Sequence, residues 1–251
     1  MKRFSLILLA ILTASGVVAG LLPTQRAQAL SGADFKPGKI IDDAVFFNKD
    51  SMTVQQIQDF LNAKVPVCDT YHAGFTGASG TVYSPPFTCL KEYQENPTTH
   101  ENNISRPTYQ VPGGQTAAQI IWNASQAYGI NPQVIITTLQ KESGIVTDTW
   151  AASWQYKTAM GYGCPDTEAC DANYYGFYNQ VTSAAWQWRR YTTYPDQYNF
   201  KGGVTRYIQY NPSANCGGTS VYLDNQATAN LYNYTPYQPN AAALANMYGT
   251  G

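Results

Sequence analysis

Charge is scarce in this chain. Asp, Glu, Lys and Arg make up 12% of 251 residues and nearly cancel, at net −1, and the histidines are only two, His72 and His100. Without a basic stripe, no nucleic-acid partner is expected. With both histidines in loop-like sequence, a Ser–His or Cys–His pair would have to be assembled across the chain, and the thiol nearest to His72, Cys68, is the one a disulfide would silence. Equally missing are a G-x-S-x-G elbow, a phosphate-binding glycine loop and an H-E-x-x-H helix, which removes the commonest serine-hydrolase, nucleotide and zinc-protease readings. No internal repeat or long low-complexity tract occurs.

What is present begins with an address. Lys2 and Arg3 precede an apolar run from Phe4 to Leu22, and Ala27-Gln28-Ala29 offers a small-x-small cleavage site. Residues 1–29 therefore read as a signal peptide, and the protein as secreted or cell-wall associated. The alternative is an uncleaved membrane anchor, since the run is nearly long enough to span a bilayer; this is the one route by which a membrane would enter. Removing the segment leaves 12 basic against 16 acidic residues, a charge of −4, and a surface rich in Tyr, Asn, Gln, Thr and Ser. Flat amphipathic rings and neutral hydrogen-bonding groups suit an uncharged polar ligand such as a glycan.

Five cysteines in an exported chain point to disulfides, and proximity pairs Cys68 with Cys89 and Cys164 with Cys170, leaving Cys216 over. Cys68, His72, Cys89 and His100 could instead form a zinc set, but oxidising export disfavours it. No metal and no cofactor is expected, and the protein is expected to be a monomer.

The chain divides into residues 30–112, with one helix and a cysteine-stapled loop region, and residues 113–251, where helices dominate. In the first part Val54, Ile57, Phe60 and Leu61 mark one apolar face between Met52 and Ala63, capped by Ser51 or Thr53. In the second, Thr116 caps a helix with the stripe Ile120, Ile121, Ala124 and Tyr128, and Gly129 ends it. Asn131 and Pro132 then start another, which Gly144 stops. A third runs from about Val181 to Tyr191. Val204–Tyr210 and Thr219–Leu223 alternate as a β-hairpin, and Asn225–Asn233 and Ala241–Tyr248 read as helices. The class is α+β, mostly α.

Within the second of these helices Ile135, Thr138, Leu139 and Glu142 share a face, so Glu142 projects from the edge of the apolar stripe in the last turn. Burial and the negative end of the helix both disfavour an ionised carboxylate there, as a general acid requires.

The segment Gly129-Ile130-Asn131-Pro132, an apolar helix and Glu142-Ser143-Gly144 resembles the part of the lysozyme-like superfamily that carries the catalytic glutamate, in lytic transglycosylases and related cell-wall glucosaminidases. Ala159-x-Gly161 followed by Gly176-Phe177-Tyr178-Asn179-Gln180 is similar to their downstream glycine and glutamine motif, which lines the sugar cleft, although a Cys164 to Cys170 insertion splits it here. More narrowly, Gln140-Lys141-Glu142, Gly163-Cys164-Pro165-Asp166, Gly176-Phe177 and the run from Tyr234 to Asn240 resemble a group of exported actinobacterial-type proteins often labelled hemagglutinin or hypothetical. The superfamily resemblance implies a lysozyme-like fold over residues 113–251, with the hairpin and the stapled N-terminal region appended.

It also implies peptidoglycan or another cell-surface glycan as partner and Glu142 as a single acid and base. Such enzymes protonate the leaving oxygen and let the substrate's own N-acetyl group and C6 hydroxyl complete the reaction, leaving an anhydromuramic end. The candidates for a second carboxylate, Asp148, Asp166, Asp171 and Asp196, sit in loop-like sequence with no motif selecting one. Tyr162, Tyr175, Tyr178, Tyr234 and Tyr237 are candidate cleft walls, Trp154 a stacking platform and Gln180 a cleft residue. Trp122, Trp186 and Trp188 lie on helical stripes and read as core. The rival to an exported peptidoglycan-cleaving glycosidase is an adhesin-like glycan-binding protein that keeps the shape without turnover.

Overall fold

The computed structural model describes residues 31–95, 98–100, 109–111, 113–166 and 168–246; the expected signal peptide, 1–29, lies outside them. Helix α1, Asp43–Phe46, is a single turn inside a segment whose sequence reads as extended. It forms because of distant partners: Asp43 Oδ1 accepts the Ala227 N–H at 2.8 Å, and Asn131 Nδ2 donates to Val45 O at 2.8 Å. Helix α2, Val54–Lys64, begins as the sequence predicts. Thr53 Oγ1 accepts the Gln56 N–H and Gln56 Oε1 accepts the Thr53 N–H, a reciprocal cap that turns Ile57 and Leu61 into the core.

The stapled region adds two small hairpins that the sequence does not reveal. β1, Phe75–Thr76, pairs antiparallel with β2, Val82–Tyr83, and β3, Thr98–His100, with β4, Tyr109–Val111. Strands of two or three residues are too short for an alternating pattern to register. The cysteines pair as expected, Cys68 with Cys89 and Cys164 with Cys170, and Cys216 is free and exposed. The disulfide takes the place of the zinc alternative. His72 instead meets Asp69 Oδ2 at 2.8 Å and stacks on Trp150.

Helices α3, Ala117–Tyr128, and α4, Pro132–Ser143, form the tightly joined pair read from the sequence. Thr116 and Gln119 cap α3 reciprocally, and Gly129 ends it in the left-handed region at φ +64°. A side chain at Gly129 would collide with the Arg189 guanidinium, which donates to Tyr128 O at 2.7 Å and Gly129 O at 3.1 Å. Those donations satisfy carbonyls that the end of α3 leaves open.

After α5, Ser153–Lys157, the long central helix α6, Phe177–Thr193, starts at Phe177 rather than near Val181. The buried Glu95 extends it, accepting the Tyr178 N–H at 2.9 Å, where an anion suits a helix N-terminus. α6 buries Phe177, Val181, Ala184 and Trp188 against α3 and α7, Gln226–Tyr234. Trp188 is core as expected, whereas Trp122 is only partly buried and Trp186 lies half-buried beneath Arg190. Phe46, Ile57, Leu61 and Leu90 belong to the same core as α3 to α6, so from Gly32 onward the chain packs as one unit. The predicted hairpin is β5, Thr205–Gln209, with β6, Gly218–Tyr222, in register from Thr205 opposite Tyr222 to Gln209 opposite Gly218. Phe200, Ile208, Val221 and Leu223 fasten it to Tyr232 of α7 in a second, smaller core. Helix α8, Ala241–Ala245, is capped by Asn240. The architecture is α+β and mostly helical. Among the described residues no helix is long and apolar enough to cross a membrane.

Candidate active site

Glu142 lies in the last turn of α4, whose ends are set by local chemistry. Asn131 Oδ1 accepts the Gln133 N–H at 2.8 Å and the Ser51 hydroxyl at 2.6 Å, and Gly144 closes the helix at φ +69°. The Glu142 side chain is 24% exposed, at the edge of the apolar face where the spacing puts it. Lys141 Nζ stands 2.8 Å from Oε1 and also donates to Thr235 Oγ1 at 3.4 Å. The other oxygen, Oε2, faces Gly161 so closely that a Cβ there would lie 3.0 Å from it. Gly161 has φ +66°, so glycine serves both the turn and the close approach.

The carboxylate opens on a cleft of about 450 Å³ that follows one face of α4 from Asn131 to Glu142. One wall is the N-terminal segment, through Phe35, Ile40, Ile41 and Val45. The opposite wall is the end of α7 and the tail after it, through Leu231, Tyr234, Tyr237 and Pro239. Hydrogen bonds tie these walls together: Ile40 N–H to Thr228 Oγ1 at 3.0 Å, Asn225 Nδ2 to Ile41 O at 2.7 Å and Tyr232 OH to Pro37 O at 3.0 Å. The floor includes Trp188, whose Nε1 is buried with no hydrogen-bond partner among the described residues. Among the described lining residues Glu142 is the one carboxylate.

Two of the predicted cleft residues share it. Tyr234 donates to Met160 O at 2.7 Å; burial first, and then the Glu142 charge, hold its phenol well above the usual range. Tyr237 donates to Asp166 Oδ2 at 2.8 Å, and that bond, aided by partial burial, raises its phenol. Gln180 stands behind the site, fully buried. Its Oε1 accepts the Met160 and Tyr162 N–H groups, and its Nε2 donates to Tyr162 O and Tyr174 O. It therefore clamps the loop that carries Gly161 against Glu142.

The remaining candidates are not among the residues that line the cleft. Trp154 is 42% exposed on α5. Tyr162 reaches Gln187, Tyr175 donates to Cys170 O under the Lys157 ammonium, and Tyr178 packs beside the core. The four alternative carboxylates have structural partners: Asp148 accepts the Trp150 N–H and the Gln155 side-chain amide, Asp166 holds Tyr237, Asp171 caps Asn173 and Asp196 pairs with Lys201. Sequence reasoning did not name Lys141, Thr235 or the N-terminal wall as parts of the site. Ile40-Ile41 and Val45-Phe46 are short apolar pieces with no local signal for what they face.

A family model described as LasA, N-terminal domain, matches residues 39–248, which include most of both cleft walls and Glu142. The chain belongs to the LasA N-terminal domain family. Neither a curated protein nor a solved structure matches it. A LasA-type domain is compatible with a secreted protein that acts on cell walls and with a peptidoglycan hydrolase. The type of chemistry in a LasA N-terminal domain of this sequence has to be read from the cleft itself.

Proposed function

We propose that this LasA-family protein is an exported glycosidase of peptidoglycan strands, of the lytic transglycosylase type, in which Glu142 acts as sole acid and base. The observation that carries this reading is the cleft with one lining carboxylate, backed by a glycine loop that Gln180 clamps in place. The tight α3–α4 pair, the Glu142 turn and the downstream Gly161 loop agree with the lysozyme-like resemblance, and the family match over residues 39–248 agrees with a cell-wall role.

In the first step Glu142 gives a proton to the glycosidic oxygen as the C1–O bond breaks. In the second, the C6 hydroxyl oxygen of the same sugar bonds to C1 and its proton returns to Glu142, so the anhydro end forms without water. Lys141 must yield the carboxylate during the cycle, and its Thr235 contact offers it an alternative resting place.

That same ion pair favours a second reading, glycan binding without turnover, because one carboxylate oxygen is already engaged. Digestion of purified peptidoglycan by wild type and Glu142→Gln, with mass analysis of the products, separates the readings. Anhydro ends from wild type alone support the proposal, and reducing ends from wild type alone indicate hydrolysis instead. Intact strands that both proteins bind would sink the catalytic reading and leave the adhesin.

A further inference from the structure

A second pocket, of about 380 Å³, lies between the stapled region and the start of α5 and shares no lining residue with the Glu142 cleft. Its floor is apolar, built from Phe87 and Tyr156, and Tyr83 and Tyr93 form half-buried walls. These rings are held by neighbours. Tyr93 stacks on Tyr156 with centroids 4.2 Å apart, Tyr83 stacks on Phe75 at 5.0 Å, and Phe87 meets Trp150 edge-on. The Cys68–Cys89 disulfide braces the same segment, so the pocket is preorganised.

The phenol groups of the deeper rings are already committed. Tyr156 OH donates to Thr88 O at 2.6 Å and Tyr93 OH to Glu95 Oε2 at 3.2 Å. Tyr93 and Tyr156 therefore meet a ligand with ring carbon. Polar recognition falls to the exposed rim, where the hydroxyls of Ser84, Thr88 and Ser153 have no protein partner among the described residues. No charged side chain is among the described lining residues.

We propose that this pocket is a second glycan-binding site, which seats one neutral pyranose ring against Tyr83 and Tyr93 and hydrogen-bonds its hydroxyls at the Ser84, Thr88 and Ser153 rim. A pyranose has what the pocket asks for, an apolar C–H face with hydroxyls around its edge. An anionic ligand would find no cation here, and a purely apolar one would strand the three hydroxyls. The site does not require Glu142 to be catalytic, so it stands or falls apart from the function proposed above.

Titration calorimetry with chitotetraose tests it, using the full chain in the Glu142→Gln background so that no cleavage intrudes. Cellotetraose serves as a second neutral probe and an oligogalacturonate as a charged one. The parent should take up chitotetraose at a site that Tyr83→Ala weakens about ten-fold, the scale of one lost aromatic stack. Ser84→Trp, which fills the rim from an exposed position without touching the core, should abolish that site. Thermal unfolding of both variants should stay near the parent's, which separates lost binding from lost fold. Failure of the parent to bind either neutral oligosaccharide would overturn the proposal. So would uptake unchanged by both substitutions, which would put the sugar in the Glu142 cleft alone, or preference for the charged probe.

Discussion

The contact between Gly161 and Glu142 can be separated from the backbone demand at the same residue, because Gly144 provides a matched control. Both glycines lie in the left-handed region, at φ +66° and +69°, but a Cβ at Gly144 would meet open space whereas one at Gly161 would press on Oε2. Alanine at either position should lower stability by about 1 kcal/mol through the backbone alone. Gly161→Ala should in addition displace the carboxylate and reduce peptidoglycan cleavage at least about ten-fold relative to Gly144→Ala, a loss of about 1.4 kcal/mol in the transition state. Equal activities for the two variants, measured at equal folded fraction, would remove Gly161 from the site. Glu142→Gln should leave stability within about 1 kcal/mol of wild type, because its ion pair joins an exposed lysine to a partly exposed carboxylate. That makes loss of cleavage in this variant interpretable as chemistry.

At the scale of elements, Asn131 connects the start of α4 to the wall opposite it. Its amide caps Gln133, receives Ser51 and donates to Val45 O, and the residue is buried. Asn131→Ala loses the cap, the Ser51 hydroxyl's acceptor and the tie to Val45 O, so a cost of about 2 kcal/mol is expected. Thr116→Ala, which removes only an exposed cap from α3, should cost about 1 kcal/mol. Denaturant titration of the two variants checks the difference. These helix ends were legible in the sequence, as were both disulfides and the turn that carries Glu142, because each is written in a few consecutive or nearby residues. What escaped was set from far away. α1 depends on Asp43 reaching Ala227, and α6 gains its first turn from Glu95, 83 residues before Tyr178. The cleft aromatics divide in the same manner. Tyr234 and Tyr237 resemble Tyr175 and Tyr178 in composition and setting, and only the tertiary position of α7 and the tail puts the first pair on the cleft.

For the whole molecule, the abundance of buried tyrosine sets a limit on the alkaline side. Burial pushes the Tyr232 phenol from its usual 10.0 up to about 12, and burial is also the leading cause of raised values at Tyr93, Tyr156 and Tyr191. These groups stay protonated in the fold while the unfolded chain ionises, so their contribution is complete below pH 10. It is lost as pH rises through about 12 for Tyr232 and further for the others. Thermal midpoints should hold up to about pH 10 and then fall, with a further step in tyrosinate absorbance at 295 nm accompanying unfolding as the buried phenols are released; Tyr232→Phe should soften the initial decline. The two walls of the Glu142 cleft lie at opposite ends of the sequence, with Phe35 and Ile41 on one side and Tyr234 and Pro239 on the other. A ribosome makes the first wall nearly two hundred residues before the second. The nascent chain therefore carries Glu142 through about ninety residues of further synthesis, from the end of α4 to Leu231, before there is a groove in which to hold a sugar.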